Sequence, residues 1–163
     1  MHDLAAPVLD SPGLVRYGFP EWKAHTSPAA GADFSYQLPG DYYVRLVSIY
    51  CKIVTDSNAA NREVVLSYED AGGNRYALTG ANTAVTGSQT AYYAFSAQLS
   101  EVVATVDSSV LVPLQPLLLV PTQVLKLHVV NVQVGDQLSQ VRTVWERFYT
   151  TKQPPRDVPR SVV

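Results

Sequence analysis

The sequence predicts an all-β domain, an antiparallel two-sheet sandwich with an extended N-terminal arm. Apolar and polar residues alternate in about eight segments, the period of strands with one buried face. Clusters of Gly, Pro, Asn and Asp separate these segments at intervals of roughly 8–15 residues, as in sandwiches and barrels. No segment shows a convincing amphipathic helical period. Eight antiparallel strands in two sheets favour a jelly-roll topology.

The clearest strand segments share period-2 alternation and end at a turn cluster. They lie at 33–38, 42–54, 62–68, 75–78, 90–99 and 141–149. The strongest is 42–54, where Val47, Ile49 and Cys51 fall on one face. The segments 62–68 and 75–78 flank an Asp-Ala-Gly-Gly-Asn turn, which predicts a hairpin.

Two later segments are less regular. Residues 110–121 are apolar but contain three prolines, which confines them to short strands or loops. In 124–134 the apolar residues change from one face to the other after Val129. This change of phase predicts a β-bulge near Val129 and Val130.

The chain divides into an arm at 1–32, a sandwich at 33–150 and a tail at 151–163. The arm contains four prolines, which disfavour a regular helix or a central strand. Its large apolar residues are expected to pack on the body or on a neighbouring subunit. Together with two tyrosines of the body, they give the interface candidates Leu14, Tyr17, Phe19, Trp22, Tyr42 and Tyr92.

Composition and charge limit the partners and the compartment. The net charge is −2 and no basic face is evident, so a nucleic-acid partner is not expected. No signal peptide is recognisable, and prolines break the most apolar run, so neither export nor a membrane span is expected. The protein is expected to be made and kept soluble in the cytoplasm. Its single cysteine, Cys51, is expected to be a buried hydrophobe without a disulfide.

The ionisable residues predict no catalytic, cofactor or metal site. His2, His25 and His128 lie far apart without the spacing of metal ligands. Most carboxylates fall in turns, where they usually accept bonds from the local backbone. We therefore expect that the protein is not an enzyme and binds no cofactor. A hydrolase with two facing carboxylates stays as a minor alternative, since a sandwich can carry such a pair.

Aromatic and charged residues within strands suggest contacts rather than chemistry. The aromatic residues that could form either a sugar-stacking platform or a subunit interface are Trp22, Tyr42, Tyr50, Tyr92 and Trp145. Arg62, Glu146 and Arg147 lie on otherwise apolar strands. Buried charges are almost always paired, so each is expected to pair across strands or subunits, or to lie at the rim of a sheet.

Four stretches, in this order, resemble uncharacterised virion proteins of tailed bacteriophages. They are 61–66, Asp70 with Gly73-Asn74, 89–91 leading to Tyr93 and Phe95, and 135–139 leading to Glu146. The resemblance spans about 42–149 and brings no catalytic residue.

That resemblance implies a structural role in the virion. The expected protein is a capsid decoration (cement) protein, or a minor head or tail component. Its expected partners are itself, as a homotrimer, and the major capsid or other virion proteins. The alternative is a carbohydrate- or receptor-binding module of a phage tail or head fibre.

Overall fold

The computed structural model describes residues 14–16, 21–40, 43–81, 83–97, 109–115 and 117–150. These ranges contain eleven strands in two sheets. In chain order the strands are β1 (Leu14–Arg16), β2 (Glu21–Ala24), β3 (Phe34–Gln37), β4 (Tyr43–Val54), β5 (Glu63–Glu69), β6 (Arg75–Gly80), β7 (Thr90–Ser96), β8 (Ser109–Pro113), β9 (Leu118–Leu119), β10 (Val124–Val130) and β11 (Gln137–Thr150). No helix in these ranges is long and apolar enough to cross a membrane.

The strand order is that of a jelly roll. The seven-stranded sheet, sheet A, has the order β1-β11-β4-β7-β8, with β2 also on β11 and β9 also on β4. The four-stranded sheet, sheet B, has the order β3-β10-β5-β6. Without β1, β9 and β8, which pairs parallel with β7, sheet A has the order β2-β11-β4-β7 and sheet B the order β3-β10-β5-β6, which is the arrangement of two interlocked Greek keys. The predicted all-β sandwich is therefore confirmed, with a jelly-roll order.

Part of the predicted arm contributes edge strands to sheet A. Both β1 and β2 pair antiparallel with β11, and β2 is the first strand of the jelly roll. Edge strands tolerate nearby prolines because one row of their backbone donors needs no partner. The rest of the arm, at 1–13 and 17–20, and the predicted tail at 151–163 lie outside the described residues.

The predicted β-bulge in the segment 124–134 is wrong. Strand β10 pairs with β5 in unbroken register from Val124 to Val130. The strand then ends at a turn in which Asn131 adopts φ 56°, and Val134 is 87% exposed. The change of apolar phase therefore marks the end of the strand, since turn residues follow no period of two.

The irregularities of register lie instead between β4 and β11. Val144 pairs with Ser48 but Trp145 pairs with Leu46, so Val47 is an extra residue in β4. Strand β11 also has a register shift between Ser139 and Arg142, beside Gln140 at φ 51°. These bulges change which residues of each strand face the core.

The core lies between the two sheets. Its largest fully buried side chains include Trp145, Tyr68, Tyr93 and Phe95. Burying each such side chain stabilises the fold by about 1.5–3 kcal/mol. Cys51 is fully buried among them, and burial raises the pKa of its thiol to about 12. It is therefore the buried hydrophobe that the sequence predicted.

Candidate interaction face and the bonds that support it

The outward surface of sheet A carries aromatic side chains on three strands. Side chains alternate between the two sides of a strand, so the partners of inward core residues face outward. We call this surface the aromatic face and define it by Trp22, Tyr50, Lys52, Tyr92, Ala94, Leu111, Arg142 and Val144. Its members come from β2, β11, β4, β7 and β8, which lie side by side in sheet A.

Two tyrosines form the centre of the aromatic face. The rings of Tyr50 and Tyr92 stack with centroids 6.3 Å apart and an angle of 19° between their planes. The ammonium of Lys52 lies 6.0 Å from the centroid of the Tyr92 ring, a contact worth about 0.5–1 kcal/mol at an exposed site. The two half-buried rings therefore lie together on the neighbouring strands β4 and β7.

Trp22 extends the aromatic face to the edge of the sheet. It lies on β2 opposite Val144 and is 62% exposed. Two strand spacings, about 10 Å, separate β2 from β4. Trp22 and the Tyr50–Tyr92 pair therefore lie along one surface with room for an extended ligand.

The charges on the aromatic face are cations. Lys52 and Arg142 have no carboxylate partner among the residues that the structure describes. Burial and the neighbouring Tyr92 raise the pKa of the Tyr50 hydroxyl, while Arg142 acts in the opposite direction. Next to this face, Arg45 pairs with Glu146 at 2.6 Å and neutralises its charge.

The outer surface of sheet B differs because its described cations have carboxylate partners. Asp33 accepts a hydrogen bond from the ring of His128 at 2.8 Å when Nδ1 carries the proton, and lies 3.8 Å from the ammonium of Lys126. Glu69 lies 3.5 Å from the guanidinium of Arg75. The two outer surfaces therefore have different charge balances in one small domain.

A buried ion cluster joins two loops at one end of the sandwich. Arg62 is fully buried and donates from Nε to Asp136 at 2.9 Å and from Nη2 to Asp56. Its Nη1 donates to the carbonyls of Asn58 and Ala60, at 2.5 and 2.7 Å. The loops that follow β4 and β10 are thereby tied to the start of β5.

Asp136 is the acceptor at the centre of this cluster. It also accepts from the backbone amides of Asp56 at 2.8 Å and Gln133 at 2.7 Å. Burial acts to raise the pKa of its carboxyl, but the bonds from Arg62 and the two amides outweigh burial and lower that pKa overall. The carboxylate is thus held ionised by four donors.

The side chains of Asp70, Asn74 and Gln89 also hold turns and loops together. The carboxylate of Asp70 accepts from the backbone amides of Gly72 and Asn74, both at 2.8 Å, and from the Asn74 side chain at 2.8 Å. Those bonds, the Asn74 side chain first, lower the pKa of Asp70. The Gln89 side chain accepts from the Thr86 amide at 3.2 Å, and its backbone carbonyl accepts from the Thr55 amide at 2.9 Å.

His25 lies at the start of the connection from β2 in sheet A to β3 in sheet B. Its Nε2 lies 2.8 Å from the hydroxyl of Thr143, and its ring meets Phe34, Tyr36 and Trp145 edge-on with centroids 4.7–5.9 Å apart. Burial, followed by the nearby charge of Lys23, lowers the pKa of His25 to about 4. The ring is therefore neutral at physiological pH.

The predicted aromatic and interface residues do not all lie on one surface. Trp22, Tyr50 and Tyr92 share the aromatic face, whereas Trp145 is fully buried, so its place in a sugar-stacking platform is wrong. Trp145 faces inward because it shares the period of Val141 and Thr143. Tyr17, Phe19 and Tyr42 lie outside the described residues, as does the side chain of Leu14.

The predicted pairing of strand charges is confirmed, and sequence reasoning missed its partners. Arg62 pairs with Asp56 and Asp136, Glu146 with Arg45, and Arg147 with Glu21. The signal in the sequence was an arginine on an apolar strand together with turn aspartates. Which aspartate it meets depends on the strand order, which the sequence does not state.

A shallow open groove of about 310 Å³ lies at the edge of the sandwich beside β7 and β8. It is lined by Thr83, Ala84, Val85, Gln89, Thr90, Ala91 and Val110. None of these side chains is ionisable. Within the described ranges, no group of three or more His, Cys, Asp or Glu residues is arranged to hold a metal ion.

The strand order defines a jelly-roll β-sandwich protein. No family model matches the chain, and no curated protein matches it. A crystal structure of dimeric latent PorU from Porphyromonas gingivalis is similar over 81% of this chain, with 11% sequence identity and a TM-score of 0.41. The chain spans 13% of that protein. A TM-score this low does not show a shared fold, so the jelly-roll assignment depends on the strand order alone.

Proposed function

We propose that this chain is a non-enzymatic structural protein of a bacteriophage particle, a capsid decoration protein that stabilises the head through subunit contacts. The observation that carries the proposal concerns the residues of the phage-like stretches. Arg62, Asp70, Asn74, Gln89 and Asp136 all bond to loops or turns of the body. The resemblance therefore lies in residues that stabilise the loops and turns of the body.

The composition of the body also suits assembly. Charged residues make up 16% of the chain, which leaves many uncharged side chains for contacts with other subunits. Many copies on a lattice give strong overall binding from modest individual contacts. The proposed partners are further copies of this chain, as a homotrimer on a three-fold position, and the major capsid protein.

Particles assembled with the gene deleted test this proposal. We expect them to lack the protein and to lose their genome at lower temperature, and we expect purified full-length protein to bind and restore stability. Light scattering on the free protein is expected to give three times the chain mass. Deleting residues 2–13 should reduce binding. Deleting the tail at 152–163 is the control, because it removes the same number of residues from the other end. Particles with unchanged composition and stability would contradict the proposal.

A second candidate function is glycan binding by a module of a phage tail or head fibre. The observation that favours it is the common outward face of Trp22, Tyr50 and Tyr92. Aromatic rings on one flat surface can stack on the apolar faces of sugar rings. A glycan array with the wild-type chain and Tyr92→Ala tests it, with Tyr76→Ala as control because Tyr76 is exposed on sheet B. Binding that Tyr92→Ala leaves unchanged would contradict this candidate.

A further inference from the structure

We propose that the aromatic face binds an acidic polysaccharide, with its sugar rings on the aromatic side chains and its carboxylates on Lys52 and Arg142. This inference rests on the glycan-binding candidate and specifies its ligand. It is independent of whether the protein decorates a capsid.

The first argument is the charge of the face. The chain carries a net charge of −2, yet both uncompensated charges of the aromatic face are positive. Every described cation on the outer surface of sheet B has a carboxylate within 4 Å, including Lys126 with Asp33 and Arg75 with Glu69. Two cations without a carboxylate partner among the described residues, on an otherwise acidic protein, complement an anionic ligand.

The second argument is the placement of these cations relative to the rings. Arg142 pairs directly with Tyr50 across β11 and β4, and Lys52 is two residues further along β4. Such diagonal neighbours lie about 7–8 Å apart at their Cα atoms. Lys52 pairs in turn with Tyr92 on β7. Each cation thus lies beside one ring of the stacked pair, which suits a ligand that alternates flat rings with carboxylates.

The number of cations argues against nucleic acid. A nucleic-acid-binding surface typically carries many clustered Lys and Arg residues along one face. The aromatic face offers two such residues, Lys52 and Arg142. A second copy of the chain also fits poorly, since a two-fold contact through this face would bring like charges together. A glycan with widely spaced carboxylates matches two cations beside the half-buried rings of Tyr50 and Tyr92 and the exposed ring of Trp22.

The test uses the full chain and a matched pair of ligands. Oligogalacturonate and its methyl ester have the same sugar rings, but the ester lacks the charge. Isothermal titration calorimetry is run with both, together with alginate and polysialic acid as further carboxylated glycans, neutral glucans and poly-glutamate. The variants are Lys52→Gln, Arg142→Gln and Tyr92→Ala. Lys126→Gln on sheet B is the control, and circular dichroism confirms that each variant folds.

We expect at least one carboxylated glycan to bind, and its methyl ester to bind at least 10-fold more weakly. Lys52→Gln and Arg142→Gln should each weaken binding about 5–10-fold, about the size of one exposed charge contact. Tyr92→Ala should abolish binding and Lys126→Gln should leave it unchanged.

The contrary outcomes separate the proposals. Equal binding of acid and ester, lost in Tyr92→Ala, would overturn the acidic ligand and leave the glycan candidate standing. No binding by any charged or neutral glycan would overturn both. Equal binding of poly-glutamate, which has carboxylates but no sugar rings, would overturn the glycan in favour of an acidic protein partner.

Discussion

Arg62 and Asp136 are 74 residues apart in the chain and form a two-pronged ion pair, with Nε and Nη2 of Arg62 at 2.9 and 3.1 Å from the two carboxylate oxygens. Both side chains are almost fully buried. The pair joins the start of β5 to the turn before β11, and Asp56 brings the end of β4 to the same point. It therefore holds the two sheets together at this end of the jelly roll.

Asp136→Asn is expected to lower the free energy of unfolding by about 3–5 kcal/mol, because it leaves the Arg62 guanidinium buried with less opposing charge. Urea denaturation measures the change as a lower midpoint at constant slope. Arg75→Gln is the control, since Arg75 is 45% exposed beside Glu69 and its pair should contribute less than about 1 kcal/mol. Equal losses in the two variants would contradict the role of burial.

His25 is expected to make stability fall as the pH drops from about 6.5 to about 4. In that window the unfolded chain binds a proton at His25 and the folded chain does not, so acid favours unfolding. Below the folded pKa both states are protonated and the loss ends. The half-buried ring is partly screened by solvent, which reduces the expected loss to about 1–2 kcal/mol.

The measurement is the unfolding free energy of the wild type and His25→Gln at pH 7 and pH 4.5. We expect the variant to lose less stability between these values. Asp136 does not interfere in this window, because its lowered pKa places the loss of its contribution below the usual aspartate range of about 4. An equal pH dependence in both proteins would show that other groups cause it.

The sequence allowed the body of the fold to be predicted because its strands have one buried face. The alternation in 42–54 and 62–68 matches β4 and β5, and both contribute inward residues to the core. The bulges at Val47 and Gln140 could not be predicted, because no glycine or proline marks them. They follow from the fit of two long strands, which is a tertiary effect.

The candidate site was predictable only in part. The residue types of the aromatic face were visible in the sequence, and Trp22, Tyr50 and Tyr92 do lie together. Trp145 is excluded because it alternates in phase with the buried Val141 and Thr143. The charge balance of the face could not be predicted without the strand order, because Lys52 and Arg142 are distant in the chain.

Tyr68→Phe and Tyr93→Phe are expected to have different effects although both side chains are buried. The Tyr93 hydroxyl donates to the carbonyl of Thr83 at 3.0 Å, whereas the Tyr68 hydroxyl has no hydrogen-bond partner among the described residues. Losing the bond in Tyr93→Phe should lower the free energy of unfolding by about 1 kcal/mol. Tyr68→Phe should be neutral or stabilising, within about 0.5 kcal/mol. Paired urea denaturation curves measure both, and a larger loss in Tyr68→Phe would contradict the difference.

Thr122→Gly is expected to stabilise the protein. Thr122 adopts φ 70° in the turn before β10, a region in which a β-branched residue is strained by about 1–2 kcal/mol. Its backbone amide donates to the carbonyl of Leu38 at 3.3 Å, and glycine keeps that bond. Glycine also loses more chain entropy on folding, by about 0.5–1 kcal/mol, so the expected net gain is about 0.5–1 kcal/mol.

Asn131→Gly is the matched control for this gain. Asn131 adopts a similar φ of 56°, but asparagine tolerates this region, and its side chain donates to the carbonyl of Asn61 at 3.1 Å. Glycine should therefore give no gain there and a loss of up to about 1 kcal/mol from the missing hydrogen bond. Thermal unfolding of both variants gives the comparison. A higher melting temperature for Asn131→Gly than for Thr122→Gly would contradict strain at Thr122, because only Thr122 has a β-branched side chain to relieve.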